Sequence, residues 1–270
     1  LGDISPRMAD TLAQADFIAA EDTRVTVKLL NHLGLKKPMV TYHRHNTAAS
    51  GQAVLDRLLA GESCALVTDA GMPAISDPGE EMVALCAAAG VPVVPIPGPC
   101  ALVTALAASG QPTGRFTFEG FLAMNKKNRR AHLESLRGEE RTMIFYEAPH
   151  KLVATLRDLA DTFGREREIS LCRELTKLHE EICKTTLAEA IARYQAQDPR
   201  GEYVLVVAGA PAAADPAQEM TLEQAARHAL ELVESGFGPT AAAKAAAKDT
   251  RFSKSEVYKE LLLLQQEQQG

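Results

Sequence analysis

From Ala13 to Thr104 the chain alternates short β-branched or apolar runs with segments of helical period. DFIAAED, PMVTYH, CALVTD and VPVVPIPG read as strands, and VTVKLLNHLG, ASGQAVLDRLLAGE, EEMVALCAAAG and PCALVTALAASG read as the helices around them. Parallel strands need crossovers long enough to hold a helix, so this alternation signals βαβ units and a mostly parallel sheet. Gly34 and Gly61 sit where helix C-caps belong, and Gly90 ends an Ala-rich helix that Pro92 cannot rejoin.

GQPTGR, residues 110 to 115, clusters turn formers between two periodic regions and reads as a hinge. Beyond it FTFEGFL, RTMIFYEA, REISLCREL, EICKTTL and EYVLVVAG are strand-like, with helices only at 126–137, 150–163 and 187–196. Two strand runs near 166–186 have no helix between them, which predicts antiparallel pairing. AGAPAAADPAQE (208–219) is a Pro/Ala linker, and about three helical segments follow. TAAAKAAAK and SKSEVYKELLLLQQEQQ, joined by DTRF, resemble a helix-turn-helix whose second helix opens with Ser253 and Glu256 in capping-box spacing. The domains expected are an α/β unit over 1–110, a second α/β unit over 116–210 and a helical unit over 220–270.

Composition removes several function classes. With 46% apolar residues in 270 the chain can bury a full core, yet no 18-residue apolar window exists, so no membrane partner is expected. Five Cys form no C-x-x-C pair and have no His at ligand spacing, which predicts reduced, cytoplasmic thiols and no metal. His43 and His45 alternate on an apparent strand, but no third ligand is evident. A net charge of −6 gives no global attraction to nucleic acid, so any RNA contact must rest on local clusters. Lys126, Lys127, Arg129 and Arg130 form the densest of these, and Lys244, Lys248, Arg251 and Lys254 make the tail locally basic. Each also reads as a solvated helix face.

The chemistry is concentrated in LVTDAGMPAISDPGEE, residues 66–81. A loop at the carboxyl end of a buried strand is where open α/β sheets bind ligands. Gly71 admits a close ligand, Pro73 and Pro78 stiffen the turn, and Asp69 and Asp77 suit hydroxyls or an ammonium better than a phosphate. Neither G-x-x-x-x-G-K-[ST] nor G-x-G-x-x-G is present, which argues against ordinary nucleotide sites. The plain alternative is a β-turn leading into a capped helix.

GDISPRM, AAEDTR, LLNHLG, YHRHN, TDAGMPAISDPG, PIPGPCALVTALAASG, FEGFL, FYEAPHKL, CRELTKLHEE and GEYVLVV occur in order along residues 1 to 210. This ordered set resembles the bacterial ribosomal RNA small subunit methyltransferase I family of the tetrapyrrole methylase-like superfamily. The resemblance implies two α/β domains with a cofactor cleft between them. It implies methyl transfer from S-adenosylmethionine to the ribose 2′-oxygen of a cytidine in the decoding region of 16S rRNA, within the small ribosomal subunit. A homodimer, no DNA and no membrane are implied as well. Family members carry a strand and a T-P-I-G-N-L loop just before the stretch matching GDISPR. This chain starts with Leu inside that motif, so the native start is expected upstream.

By the same resemblance Asp69, Ala70, Gly71, Ile75 and Ser76 hold the cofactor. Cys100 and Ala101 line its adenosine side, and Leu122, Tyr146, Glu147 and Ala148 face it from the second domain. A ribose hydroxyl needs a proton acceptor, for which Glu147 and Asp22 are the candidates. Glu21, Asp22 and Arg24 read equally as charge balance at a helix start, and Arg24 is also a candidate for a phosphate or the ribose. Cys100 as a nucleophile is the competing idea, weakened by its apolar setting. Lys126, Lys127, Arg129, Arg130, Lys248, Arg251 and Lys254 are the candidate RNA contacts. The alternatives are a tetrapyrrole carbon methyltransferase and a non-catalytic ribosome-binding protein. A metal-dependent hydrolase lacks both ligand spacing and paired catalytic residues.

Overall fold

Ser5 starts the first helix, α1 (Pro6–Gln14), by accepting a hydrogen bond from the Met8 amide while Pro6 fills the first turn. In this computed structural model residues 1–43, 47–211, 220–248 and 250–267 are described. They fall into two compact units, Leu1–Gly209 and Ala210–Gly270.

Strand β1 (Phe17–Ala20) is buried at all four positions because it is the middle of a parallel sheet covered on both faces. β2 (Met39–Thr41) and β3 (Cys64–Val67) flank it in the order β2-β1-β3. Phe17 and Ala19 pack against Val54 and Leu55 of α3 (Thr47–Leu59) and Met82 and Cys86 of α4 (Glu80–Ala88). Ile18 and Ala20 face the other way, onto Leu12 and onto Leu30 of α2 (Thr23–His32).

VPVVPIPG does not form the expected strand. Residues 91–100 run without regular structure, and Val93 and Val94 are 49% and 73% exposed. Pro92, Pro95, Pro97 and Pro99 each remove a donor that a sheet ladder would need.

The second sheet has the order β4-β5-β8-β6-β7. Its strands are β4 (Phe116–Phe121), β5 (Thr142–Glu147), β6 (Glu168–Arg173), β7 (Glu181–Thr186) and β8 (Tyr203–Val207). β4 and β5 are parallel, and the β5–β8, β8–β6 and β6–β7 pairs are antiparallel, as the missing helix between β6 and β7 predicts. Side chains alternate between its faces. Met143 and Phe145 pack against α6 (Lys126–Ser135), α7 (Leu152–Phe163) and α8 (Leu187–Ala196). Ile144, Cys172, Val204 and Val206 pack against Leu102, Ala105 and Leu106 of α5 (Ala101–Ala108). Helix α5 precedes the expected hinge in sequence but belongs to the core of the sheet that follows it.

The C-terminal unit holds α9 (Leu222–Glu234), α10 (Pro239–Ala247) and α11 (Lys254–Glu267) around Ala225, Ala229, Ala242, Ala243, Val257 and Leu261. Alanines at the seam let the helices approach closely. Ser253 and Glu256 form the expected reciprocal cap: the Ser253 amide donates to Glu256 Oε2 (2.8 Å), and the Glu256 amide donates to Ser253 Oγ (3.3 Å).

Candidate functional site

The strands β1 and β3 end side by side, and their carboxyl-terminal loops build one wall of the candidate site. After β3 the chain curls through 68–79 with Gly71, Ala74, Ser76 and Gly79 all at positive φ. Two of these are not glycine, and such strain persists only where the surroundings enforce it. The turns inside the loop are long: Thr68 Oγ1 donates to Gly71 O at 3.4 Å, and the Ala74 amide donates to Pro78 O at 3.3 Å. Packing does the rest. A Cβ on Gly79 would lie 3.0 Å from both Ala74 N and Leu66 Cδ2, and one on Gly71 would fill the gap toward Pro99 O at 3.7 Å. Glu21, at the end of β1, fixes the entry to the loop by accepting from the Asp69 amide at 3.2 Å.

The facing wall comes from α5 and the second sheet. Cys100 is the N-cap of α5, and the Leu102 amide in the helix's first turn donates to Tyr146 Oη at 3.0 Å. Phe118 and Phe121 meet Tyr146 edge-on, with ring centroids 4.9 and 5.6 Å away. Burial pushes the Tyr146 phenol up to about 12, with the Leu102 hydrogen bond opposing and Cys100 and Asp77 adding to the shift. The ring therefore stays neutral. Gly120, at positive φ, lies close to Ser76, whose Oγ would be 3.8 Å from a Cβ there. The strained loop thus touches the edge of the second sheet.

The structure brings most of the expected cofactor residues together: Asp69, Ala70, Gly71, Ile75 and Ser76 lie in the curled loop beside Cys100 and Ala101. Asp69, Ala70 and Gly71 are exposed at its mouth. Tyr146 and Ala148 stand at the end of β5. Leu122 departs from expectation, because its side chain is buried in the core beneath α6 and α7.

Both expected proton acceptors are corrected by their partners. Glu147 is 3% exposed and points to the opposite face of β5 from Tyr146. Its Oε2 accepts from the Thr155 hydroxyl and its Oε1 from the Ala148 amide at 2.8 Å, so both oxygens are engaged. Asp22 is the N-cap of α2 and holds Arg24 in a fork, at 3.0 Å to Nε and 2.6 Å to Nη2. These bonds hold its carboxyl down at about 2, too weak a base for proton abstraction at neutral pH.

Among the expected RNA contacts, Lys126, Lys127 and Arg130 are exposed on α6. Arg129 is not available: its Nε donates to Asp158 at 2.5 Å and its Nη2 to Thr155 at 2.8 Å, which ties it to the hydroxyl that holds Glu147. Arg24 keeps a largely exposed guanidinium beside Asp22. In the C-terminal unit Lys248, Arg251 and Lys254 are exposed, with Arg251 over the Phe252 ring at 5.1 Å. His43 lies past the end of β2, and His45 is outside the described residues. Among the described residues no His, Cys, Asp or Glu group could hold a metal. Sequence reasoning missed Gly120 and Glu21, whose roles depend on contacts 44 and 48 residues away in the chain.

The family model for Tetrapyrrole (Corrin/Porphyrin) Methylases matches residues 1–191. A relative from Synechocystis, named ribosomal RNA small subunit methyltransferase I, is 46% identical over 96% of this chain and 92% of its own length. The chain belongs to the ribosomal RNA small subunit methyltransferase I family. Another relative of that name, from Vibrio cholerae, is 50% identical over 77% of this chain and 73% of its own. The solved methyltransferase CobJ covers 78% of this chain and 90% of its own at a TM-score of 0.57 and 20% identity, which shows a shared fold. Membership in the ribosomal RNA small subunit methyltransferase I family makes the chain an S-adenosylmethionine-dependent methyltransferase, with the strained loop and Tyr146 where this fold's two sheets meet.

Proposed function

We propose that the chain transfers a methyl group from S-adenosylmethionine to the 2′-oxygen of a cytidine ribose in the decoding region of 16S rRNA, acting as a homodimer on the small ribosomal subunit. The relatives' names support an rRNA substrate. The observation that carries the chemistry is the curled loop 68–79 lying against Pro99 and Gly120, beside the bond from the Leu102 amide to Tyr146 Oη.

The residues fit the cofactor. Gly71 holds φ 83° and keeps the exposed mouth of the loop clear of a side chain, acidic Asp69 suits a cationic amine or sulfonium, and Ile75, Cys100, Ala101 and Tyr146 offer apolar surface to a purine. Ala148 and the main chain of Leu122 complete the far wall. The cofactor supplies a methyl already activated on sulfonium sulfur. The protein's share is to align the acceptor oxygen in line with that methyl and to exclude water. Its proton needs an acceptor, and Glu21 is a better candidate than Asp22 or Glu147. Its carboxylate is oriented by the Asp69 amide at the mouth and, among the described residues, is not clamped by an arginine.

For the RNA, Lys126 and Lys127 occupy the first turn of α6, where their charges add to the positive end of the helix dipole. Such an arrangement costs free energy in the free protein and favours a phosphate, with Arg130, Arg24, Lys248, Arg251 and Lys254 as further contacts. The test is methyl transfer from labelled S-adenosylmethionine to undermodified small subunits, with the label located by mass spectrometry of nuclease digests. Label on a cytidine ribose is expected, and label on a base, or none in subunits with cofactor bound, would overturn the reading.

A further inference from the structure

A second feature stands at the same end of the five-stranded sheet. Arg173 of β6 and Glu147 of β5 are both in register with Tyr203, on either side of β8. The loop after Arg173 therefore lies two strand spacings, roughly 10 Å, along the sheet from residues 146–148.

That loop, 174–180, is strained and braced. Glu174 and Thr176 have φ of 49° and 62° without being glycine. Glu174 Oε1 accepts from Lys177 Nζ and from the Glu202 amide, both at 2.9 Å, and the Thr176 amide donates to Glu180 Oε2 at 2.6 Å. Gly201 lies against it, where a Cβ would be 2.5 Å from Glu174 Cγ. The bracing presents Leu178 to solvent, 93% exposed.

Beside the loop is a cleft of about 520 Å³ lined by Arg173, His179, Gln197, Asp198 and Arg200. Arg173 Nε is shut off from solvent and has no hydrogen-bond partner among the described residues. Its Nη2 donates weakly to His179 O at 3.3 Å. Its Nη1 stands 3.7 Å from Glu181 Oε2, and the side chain, 21% exposed, lines the cleft wall. The neighbouring Glu174 and Glu180 are engaged by Lys177 and the Thr176 amide, and Glu181 by Arg193 and Arg173 together. Asp198 and Arg200 have no such partners among the described residues. Donors beside a free carboxylate match the edge of a base that carries an exocyclic amine better than a bare phosphate, which offers acceptors alone. A carboxylate accepts from that amine and an arginine donates to the ring acceptors.

We propose that this cleft receives an unstacked nucleotide of the RNA substrate, beside the acceptor ribose, while Leu178 enters the stack that the base has left. The proposal rests on the rRNA reading above. Apolar side chains serve as such wedges, and unstacking is what brings a ribose out of a structured RNA.

Leu178→Ala and Asp198→Ala are assayed with undermodified small subunits, alongside S-adenosylmethionine binding by calorimetry and thermal unfolding. Each lowers kcat/KM for subunits about tenfold, the scale of one lost base contact, with cofactor affinity and thermal midpoint unmoved. A Leu178→p-benzoylphenylalanine variant crosslinks to rRNA adjoining the methylated nucleotide. Wild-type kinetics in both alanine variants, or crosslinks only to distant RNA or to ribosomal protein, would overturn the cleft while leaving the rRNA reading intact. A wild-type chain that methylates no subunit overturns both.

Discussion

Loop 68–79 and loop 174–180 both leave the carboxyl ends of strands and both bend through non-glycine residues at positive φ, Ala74 and Ser76 in one, Glu174 and Thr176 in the other. Each such residue costs about 1–3 kcal/mol. The second loop is held mainly by charges of its own, Glu174, Lys177 and Glu180, with Gly201 and Glu202 closing against them. The first has long internal hydrogen bonds and is shaped by what surrounds it: Leu66, Pro99, Gly120 and the Glu21 carboxylate. Strain braced from within makes a rigid projection, whereas strain braced by neighbours makes a seat whose form depends on several segments at once.

If the first loop does the chemistry and the second the gripping, substitutions should separate kcat from KM. Glu21→Gln is expected to lower kcat about 10²–10⁴-fold with little change in KM for subunits. Asp22→Asn should leave the shape of the pH–rate profile between about pH 5 and 9 as it was, because a carboxyl held near 2 does not titrate there. A profile that loses its rise with pH in Asp22→Asn would return the role to Asp22.

Gly79→Ala tests the seat: at φ 145° its Cβ would meet Ala74 and Leu66, and the misplaced loop should weaken S-adenosylmethionine about 10²-fold by calorimetry. Gly201→Ala tests the projection. It should destabilise the protein by about 1–3 kcal/mol in urea and spare cofactor affinity. Equal effects of the two changes on cofactor binding would erase the distinction.

The smallest effect is a pH dependence at the contact between α5 and the second sheet. Burial pushes the Cys172 thiol up to about 11, above its unfolded value. A raised folded value means that this contribution is complete below the unfolded pKa and is lost as pH rises through about 11. Urea midpoints should therefore fall between about pH 9 and 11, and less steeply in Cys172→Ala. An identical slope in the variant would show that other groups carry the loss.

Much of this was legible in the residues. The five strand-like runs after residue 116 each became a strand, and RTMIFYEA and EYVLVVAG are continuously apolar because both faces of that sheet are covered. The Ser253 and Glu256 cap followed from spacing alone. VPVVPIPG misled because its apolar content is that of a strand while its prolines remove the ladder donors. Glu147 misled for another reason: its neighbour Tyr146 does face the site, and alternation along β5 turns the carboxylate the other way, toward Thr155. Arg129 looks like its neighbours in sequence and is distinguished only by Asp158, a helix away.

The packing of α5 on the second sheet has a mechanical consequence. Residues 109–115 link two parts that move as one, since α5 on one side of them is cemented to β5, β6 and β8 on the other. Any opening between the sheets must turn about the irregular stretch 91–100, while the bond from the Leu102 amide to Tyr146 Oη travels with the second sheet. The axle of the molecule sits one helix earlier than its Gly- and Pro-rich punctuation suggests, directly under the curled loop. Swinging the parts open therefore parts the curled loop from Pro99 and Gly120 and dismantles the proposed cofactor seat.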